Sequence, residues 1–181
     1  VTWYVALIAA VGLERLAELV ISTRNAAWSF SRGGQEYGAG HYPVMVVLHS
    51  GLLIGCLAEV LLAHRPFLPA LGWPMFALVV ASQALRWDCI ATLGRQWNTR
   101  VIITPRLALV RTGPYRWFRH PNYVAVVVEG AALPLVHTAW VTAAVFTGLN
   151  AVLLAVRIQV ENAALKAAEQ SAGSPGQPTR A

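Results

Sequence analysis

The chain has 181 residues, a single-domain length, with 56% hydrophobic and only 12% charged residues, about half the charged share of an ordinary soluble domain. That composition excludes a disordered chain, and with Cys56 and Cys89 as its only cysteines the sequence is no disulfide-stapled secreted module. The formal charge of +6 is concentrated: between Asp88 and Glu129 there is no acidic residue, but there are Arg95, Arg100, Arg106, Arg111, Arg116 and Arg119. This reads as the cytoplasmic loop of a membrane protein rather than as a nucleic-acid footprint, so no nucleic-acid partner is expected.

A hydrocarbon core about 30 Å thick needs roughly 20 apolar residues of helix, and five segments approach that length. The first covers 2–21 and lacks the basic start and small-residue cleavage site of a signal peptide, so it is read as a membrane helix. The second and third cover 43–63 and 73–93. The Arg-rich connection that follows contains Val101-Ile102-Ile103 and Leu107-Ala108-Leu109-Val110, runs too short to cross, with turns at Pro105 and Gly113-Pro114. It is expected to fold as extended or interfacial pieces of a cytoplasmic cap. The fourth apolar segment, 121–136, is short for a span, and Pro134 and the brief link after it predict a helical hairpin with the fifth, 139–159. Residues 1–170 thus form one domain, and 171–181, with no apolar period, read as a disordered tail. The fold class expected is all-α integral membrane, with about five transmembrane helices, a C-terminal helical hairpin and a cytoplasmic cap. Basic residues alternate between connections, which places the N-terminus outside and the long third connection and C-terminus in the cytoplasm.

Ionisable groups at membrane depth need partners or a polar cavity. Glu14, Arg15 and Glu18 in the first segment, and Arg86 and Asp88 in the third, are read as interfacial pairs that snorkel; Glu59 and His64 are read the same way at the opposite surface. His49 suits a helix-packing hydrogen bond, and no metal-ligand spacing is present. Glu129 is different: it sits eight residues into the fourth segment among apolar neighbours and requires a partner from another helix. Arg157 and Glu161, spaced i,i+4, share a helix face, a spacing that serves a structural ion pair and a common ligand equally well.

The densest feature is Gly113-Pro114-Tyr115-Arg116-Trp117-Phe118-Arg119-His120-Pro121-Asn122-Tyr123. Taken alone it is an aromatic and basic interfacial belt. It also places Pro121 in the first turn of a helix, whose free N–H groups favour an anionic or zwitterionic ligand.

At these residues the chain resembles the isoprenylcysteine carboxyl methyltransferase family of integral membrane enzymes. The family's Arg-His-Pro-x-Tyr-x-Gly pattern stands here as Arg119-His120-Pro121-Asn122-Tyr123-Val124-Ala125, and its Arg-x-x-x-Glu-Glu pattern as Arg157-Ile158-Gln159-Val160-Glu161-Asn162. Ala125 replaces a glycine, and Asn162 replaces the second glutamate. The resemblance implies S-adenosylmethionine as cofactor, with Leu107, Ala108, Leu109, Val110, Tyr115, His120, Pro121, Asn122, Tyr123 and Glu161 lining its site. It also implies that Arg157 faces and orients the methyl acceptor, and that Glu161 serves chiefly to bind. Glu36-Tyr37-Gly38, His41-Tyr42-Pro43 and Trp97-Asn98-Thr99-Arg100 resemble a bacterial subgroup that methylates alkylpyrones or alkylresorcinols.

The function expected is O-methylation of a lipophilic or prenylated acceptor, a carboxylate or a ring hydroxyl, among the lipids of a bacterial inner membrane with the active site facing the cytoplasm. Two other readings fit the same residues. A membrane reductase of the sterol-reductase type would use the arginines for the pyrophosphate of NADPH, and a non-catalytic lipid-binding protein would need only packing charges and an aromatic belt.

Overall fold

A backbone in hydrocarbon must satisfy its own N–H and C=O groups, and the Leu-, Val- and Ala-rich runs of this chain do so as helices. The computed structural model describes residues 1–105 and 107–173, with side chains through residue 167. The described residues form α1 (Thr2–Phe30), β1 (Gln35–Tyr37), α2 (His41–Leu62), α3 (Pro69–Leu93), β2 (Val101–Ile103), α4 (Pro121–Leu135) and α5 (Trp140–Gly173), with 3₁₀ turns at Gly94–Gln96 and Gly113–Arg116. The architecture is an all-α membrane fold carrying one small strand pair.

Three of these helices, α2, α3 with its following turn, and α5 through Ala167, are long and apolar enough to cross a membrane. The α1 helix has the length but is interrupted by Glu14, Arg15, Glu18 and Arg24, and α4, at 15 residues or about 22 Å, is short of a full span.

Two helices run past the ends read from apolar periodicity. The α1 helix continues beyond Ile21 because its next polar residues face protein: Ser22 Oγ donates to Asn98 Oδ1 at 2.8 Å, and Asn25 Nδ2 donates to the Trp97 carbonyl at 2.7 Å. The α5 helix continues beyond Gln159 to Gly173, where Glu161 and Asn162 meet groups of the α4 N-terminus. The expected tail therefore begins inside α5, and residues 174–181 lie outside the described residues.

The connections gather at two opposite ends. At one, β1 pairs antiparallel with β2, Gln35 opposite Ile103 and Tyr37 opposite Val101, which joins the α1–α2 and α3–α4 connections. Sequence reading anticipated short extended pieces after α3 but not their partner strand, because a three-residue strand carries no period of its own. At the other end, His137 Nδ1 donates to the Arg65 carbonyl at 2.9 Å and Thr138 Oγ1 to the Pro66 carbonyl at 2.8 Å. Glu59 accepts from the Val141 and Thr142 N–H groups at 3.2 and 2.7 Å, so its carboxylate caps the positive N-terminus of α5.

The expected C-terminal hairpin is present, with α4 and α5 joined through residues 136–139. Gly130 is what lets them close: the place of a Cβ there is taken by the ring of Phe146. Around that contact the buried core includes Tyr4, Ile8, Leu52, Cys56, Val79, Leu133 and Val136, and the Tyr4 hydroxyl donates to the Leu133 carbonyl at 3.0 Å. Cys56 and Cys89 are free and buried, as packing residues.

Asp88 is exposed as expected, but Arg15, Glu18 and Arg86 do not snorkel. Arg15 Nη1 donates to Glu18 at 2.7 Å, Arg15 Nη2 meets both oxygens of Glu129 at 3.0–3.1 Å, Arg86 pairs with Glu129, and Arg86 Nε lies 3.5 Å from Glu18. The expectation of surface pairs fails for these residues because Glu129, buried in α4, needs cations and draws both arginines between the helices. The result is a closed ring of two cations and two anions joining α1, α3 and α4, in which Glu18, Arg86 and Glu129 are all buried. It supplies the interhelical partner that Glu129 required.

A candidate cofactor and acceptor site

At the strand-bearing end, the chain enters α4 through a turn that needs a glycine. Gly113 has φ +53°, and a Cβ there would press on the Thr92 hydroxyl. Pro114 is buried beneath this turn, Pro121 occupies the first turn of α4, and His120 stands at its N-cap. Tyr115, His120, Asn122 and Tyr123 are thereby delivered to one wall of a cavity of about 250 Å³, with α2, α5 and the 93–103 segment as the other walls.

The two motifs of the sequence meet there. Tyr123 Oη donates to Glu161 at 2.6 Å, and His120 Nδ1 lies 3.5 Å from the other oxygen of that carboxylate. His120 Nε2 is 3.2 Å from Asn162 Oδ1, so the residue standing in place of a second glutamate holds the far side of the same imidazole. The His120 and Tyr123 rings stack, with centroids 5.4 Å apart and an interplanar angle of 22°. Hydrogen bonding to Glu161 raises the His120 pKa above the ordinary histidine value, and burial beside the Cys89 thiol raises that of Tyr115.

Arg157 is 5% exposed and lies on the α5 face that carries Glu161, but it bonds elsewhere. Its Nη2 donates to the Thr99 carbonyl at 2.8 Å and its Nη1 meets the Met45 sulfur at 3.2 Å, while its Nε is buried with no hydrogen-bond partner. The guanidinium also stands over the Tyr123 ring, 5.8 Å from its centroid. Of the two readings of the i,i+4 spacing, the structure brings both side chains to a shared cavity rather than to each other.

The cavity has a polar end at the strand-bearing side, its mouth, and a second polar group further along the helices, its floor, with apolar side chains between. Near the mouth are Arg100, Tyr115, His120, Asn122, Tyr123, Arg157 and Glu161; the walls include Leu53, Val126, Leu153 and Leu154; Arg15, Glu18, Arg86, His49 and Asn150 lie deeper. Asn122 Oδ1 is buried without a partner. The Glu161 carboxylate, the Asn122 amide, the Tyr115 and Tyr123 hydroxyls and the His120 imidazole suit a ligand with an amino group and hydroxyls, and Arg157 supplies a cation.

Other sequence-marked residues fall differently. Pro121 is buried behind the wall, and Leu107, Ala108, Leu109 and Val110 lie outside the cavity lining, with Leu107 and Leu109 exposed. Ala125 is fully buried in α4 and also does not line the cavity. The landmarks Glu36 and Arg100 form an ion pair at 3.4 Å, and Arg100 stands over the Tyr42 ring. Sequence reasoning missed Asn150 and the part taken by Arg15 and Arg86 in the floor. The i,i+7 spacing of Asn150 and Arg157 on α5 was the available signal for the first.

The model of the isoprenylcysteine carboxyl methyltransferase family matches residues 75–167 of this chain. An uncharacterized protein, YpbQ, of Bacillus subtilis (strain 168) is 38% identical over 161 residues, 88% of this chain and 95% of that protein. An uncharacterized protein of Haemophilus influenzae is 25% identical over 152 residues, 83% of this chain and 88% of its own length. Among solved structures, the eukaryotic intramembrane Ras methyltransferase ICMT superposes with a TM-score of 0.56 at 21% identity, over 76% of this chain and 53% of that one. The present chain thus spans about half the length of that enzyme.

Proposed function

We propose that this chain, which belongs to the isoprenylcysteine carboxyl methyltransferase family of membrane methyltransferases, transfers a methyl group from S-adenosylmethionine to an oxygen of a lipophilic acceptor. The observation that carries the reading is the convergence of His120, Tyr123 and Glu161, from motifs 38 or more residues apart, on one wall of a cavity that also holds Arg157.

When bound, S-adenosylmethionine supplies an electrophilic methyl group on a sulfonium; the protein needs no nucleophile of its own, only alignment and the exclusion of water. The residues fit such a ligand. Glu161 and the unpartnered Asn122 Oδ1 accept from its amino group and hydroxyls, and Tyr115, His120 and Tyr123 complete that wall. Arg157 is the acceptor-orienting group: its unpaired Nε faces the demand for a hydrogen-bond partner, and a guanidinium binds a carboxylate or enolate oxygen in a fixed plane. A lipid carboxylate or an acidic enol arrives ionised at neutral pH, whereas a phenol near pKa 10 is helped toward its anion by the adjacent cation. The acceptor class is an isoprenylcysteine-type carboxylate or an alkylpyrone or alkylresorcinol hydroxyl, reached from the bilayer. By loop charge the site faces the cytoplasm of a bacterial inner membrane.

The test is incubation of membranes containing the chain with methyl-labelled S-adenosylmethionine, followed by identification of the labelled lipid. Calorimetry on purified protein should detect S-adenosylhomocysteine and not NADPH. Binding of NADPH instead would move the chain to the reductases, and cofactor binding without transfer to any lipid would leave a binding protein.

A further inference from the structure

Below Arg157 the cavity is not the plain apolar sleeve that a hydrocarbon tail alone would require. Asn150 lies on the same face of α5 seven residues nearer its N-terminus, about 10 Å deeper along the axis. It is 2% exposed, lines the cavity, and its Oδ1 is buried with no hydrogen-bond partner. From α2, His49 lines the same depth. Its Nδ1 donates to the Met45 carbonyl at 2.9 Å, which leaves Nε2 as the ring nitrogen open to a ligand. Phe146 meets the imidazole edge to face at 5.4 Å and helps hold its plane. The neighbouring charges do not bond to either residue: Arg15, Glu18, Arg86 and Glu129 close on one another, and the two Nη groups of Arg157 reach Thr99 and Met45.

An amide oxygen buried without a partner destabilises the fold, and an apolar residue would avoid that cost. An oxygen function on the ligand removes it: a hydroxyl donates to Asn150 Oδ1 or His49 Nε2, and a hydroxyl or carbonyl oxygen accepts from Asn150 Nδ2. We propose that Asn150 and His49 form a second subsite of this cavity, one that holds a neutral hydroxyl or carbonyl group of the acceptor one to two helical turns below the oxygen that is methylated. The proposal rests on the methyltransferase reading for the position of the reacting oxygen. It makes the acceptor polar at two places and makes these two residues determinants of specificity rather than of chemistry.

Binding and transfer separate the two ideas. Purified protein saturated with S-adenosylhomocysteine is titrated with 8-hydroxyoctadecanoic acid and with octadecanoic acid, which differ by one hydroxyl seven carbons from the carboxylate, and methyl transfer to both is measured with S-adenosylmethionine. Wild type should bind the hydroxy acid about tenfold more tightly, the worth of one buried hydrogen bond. Asn150→Leu should abolish that preference, with S-adenosylhomocysteine affinity retained, and His49→Phe should reduce it. In turnover the preference should appear in KM and not in kcat. Equal or absent binding of the two probes by wild type overturns the subsite, as does a preference that survives Asn150→Leu, which would leave Asn150 a helix-packing residue. Tighter binding of the hydroxy acid that depends on Asn150, without methyl transfer to either probe or to membrane lipid, would keep the subsite and sink the methyltransferase reading.

Discussion

Arg157 and Glu161 sit one helical turn apart on α5, yet they bond in different directions: Arg157 to the Thr99 carbonyl at 2.8 Å, and Glu161 to the Tyr123 hydroxyl at 2.6 Å. Neither side chain is consumed in neutralising the other, so each is available to a different reactant in the same cavity.

The two should therefore fail differently when changed. Arg157→Lys keeps the charge and loses the planar fork, and kcat/KM should fall about a hundredfold, with S-adenosylhomocysteine affinity nearly unchanged. Glu161→Gln should mainly weaken cofactor binding. Wild-type turnover by Arg157→Lys would remove Arg157 from acceptor orientation; both variants are measured for affinity, turnover and melting in one detergent.

His120 and Tyr123 hold the same carboxylate, and both belong to the cofactor wall. Tyr123→Phe deletes one hydrogen bond and should weaken S-adenosylhomocysteine binding about tenfold, with larger losses for Tyr123→Ala and His120→Ala. Calorimetry decides this, and unchanged affinity in both alanine variants would return the segment to an interfacial belt.

The raised pKa of His120, caused first by its hydrogen bond to Glu161, sets a direction for stability against pH. Protonated His120 is stabilised in the folded protein, so this contribution is complete below the unfolded-state pKa of about 6.5 and disappears as pH rises through the higher folded-state value. Melting of wild type relative to His120→Gln, followed upward from pH 6 in one detergent, should show the wild-type advantage shrinking. An advantage that grows with pH would contradict the assignment.

The ring of Arg15, Glu18, Arg86 and Glu129 is balanced, and removing one member leaves a buried charge unmatched. Glu129→Gln or Arg86→Met should cost about 3–5 kcal/mol, and Arg86→Met combined with Glu129→Gln should cost less than the sum of the two. Denaturation of the single and double variants, folded into one cycle, measures the coupling.

Pairing of β1 with β2 puts the connections after α1 and α3 at one end, and the His137 bond to Arg65 puts the α2–α3 connection at the other. Labels at Gly33 and Leu107 should report the cytoplasm and a label at Pro66 the opposite side. Labelling of Gly33 and Leu107 from opposite faces would break this topology.

Much of this molecule is written locally. Apolar length marks α2, α3 and α5 as membrane helices, Pro134 and a brief link announce the α4–α5 hairpin, and the residues at 119–123 and 157–162 carry the family resemblance in their own spelling. Hydrophobic length and short motifs are properties of neighbouring residues, so they survive in one dimension. The tertiary structure alone decided what the charges are for. Arg15 and Arg86 look like snorkelling surface residues until α1, α3 and α4 come together around Glu129, and the i,i+4 spacing of Arg157 and Glu161 takes its meaning only when Thr99 and Tyr123 arrive from elsewhere. Asn150 is an ordinary helix residue in the sequence and an unpartnered amide in a cavity in the fold. Satisfaction of a buried polar group is a relation between residues distant in the chain, and only the packed helices bring those residues within reach.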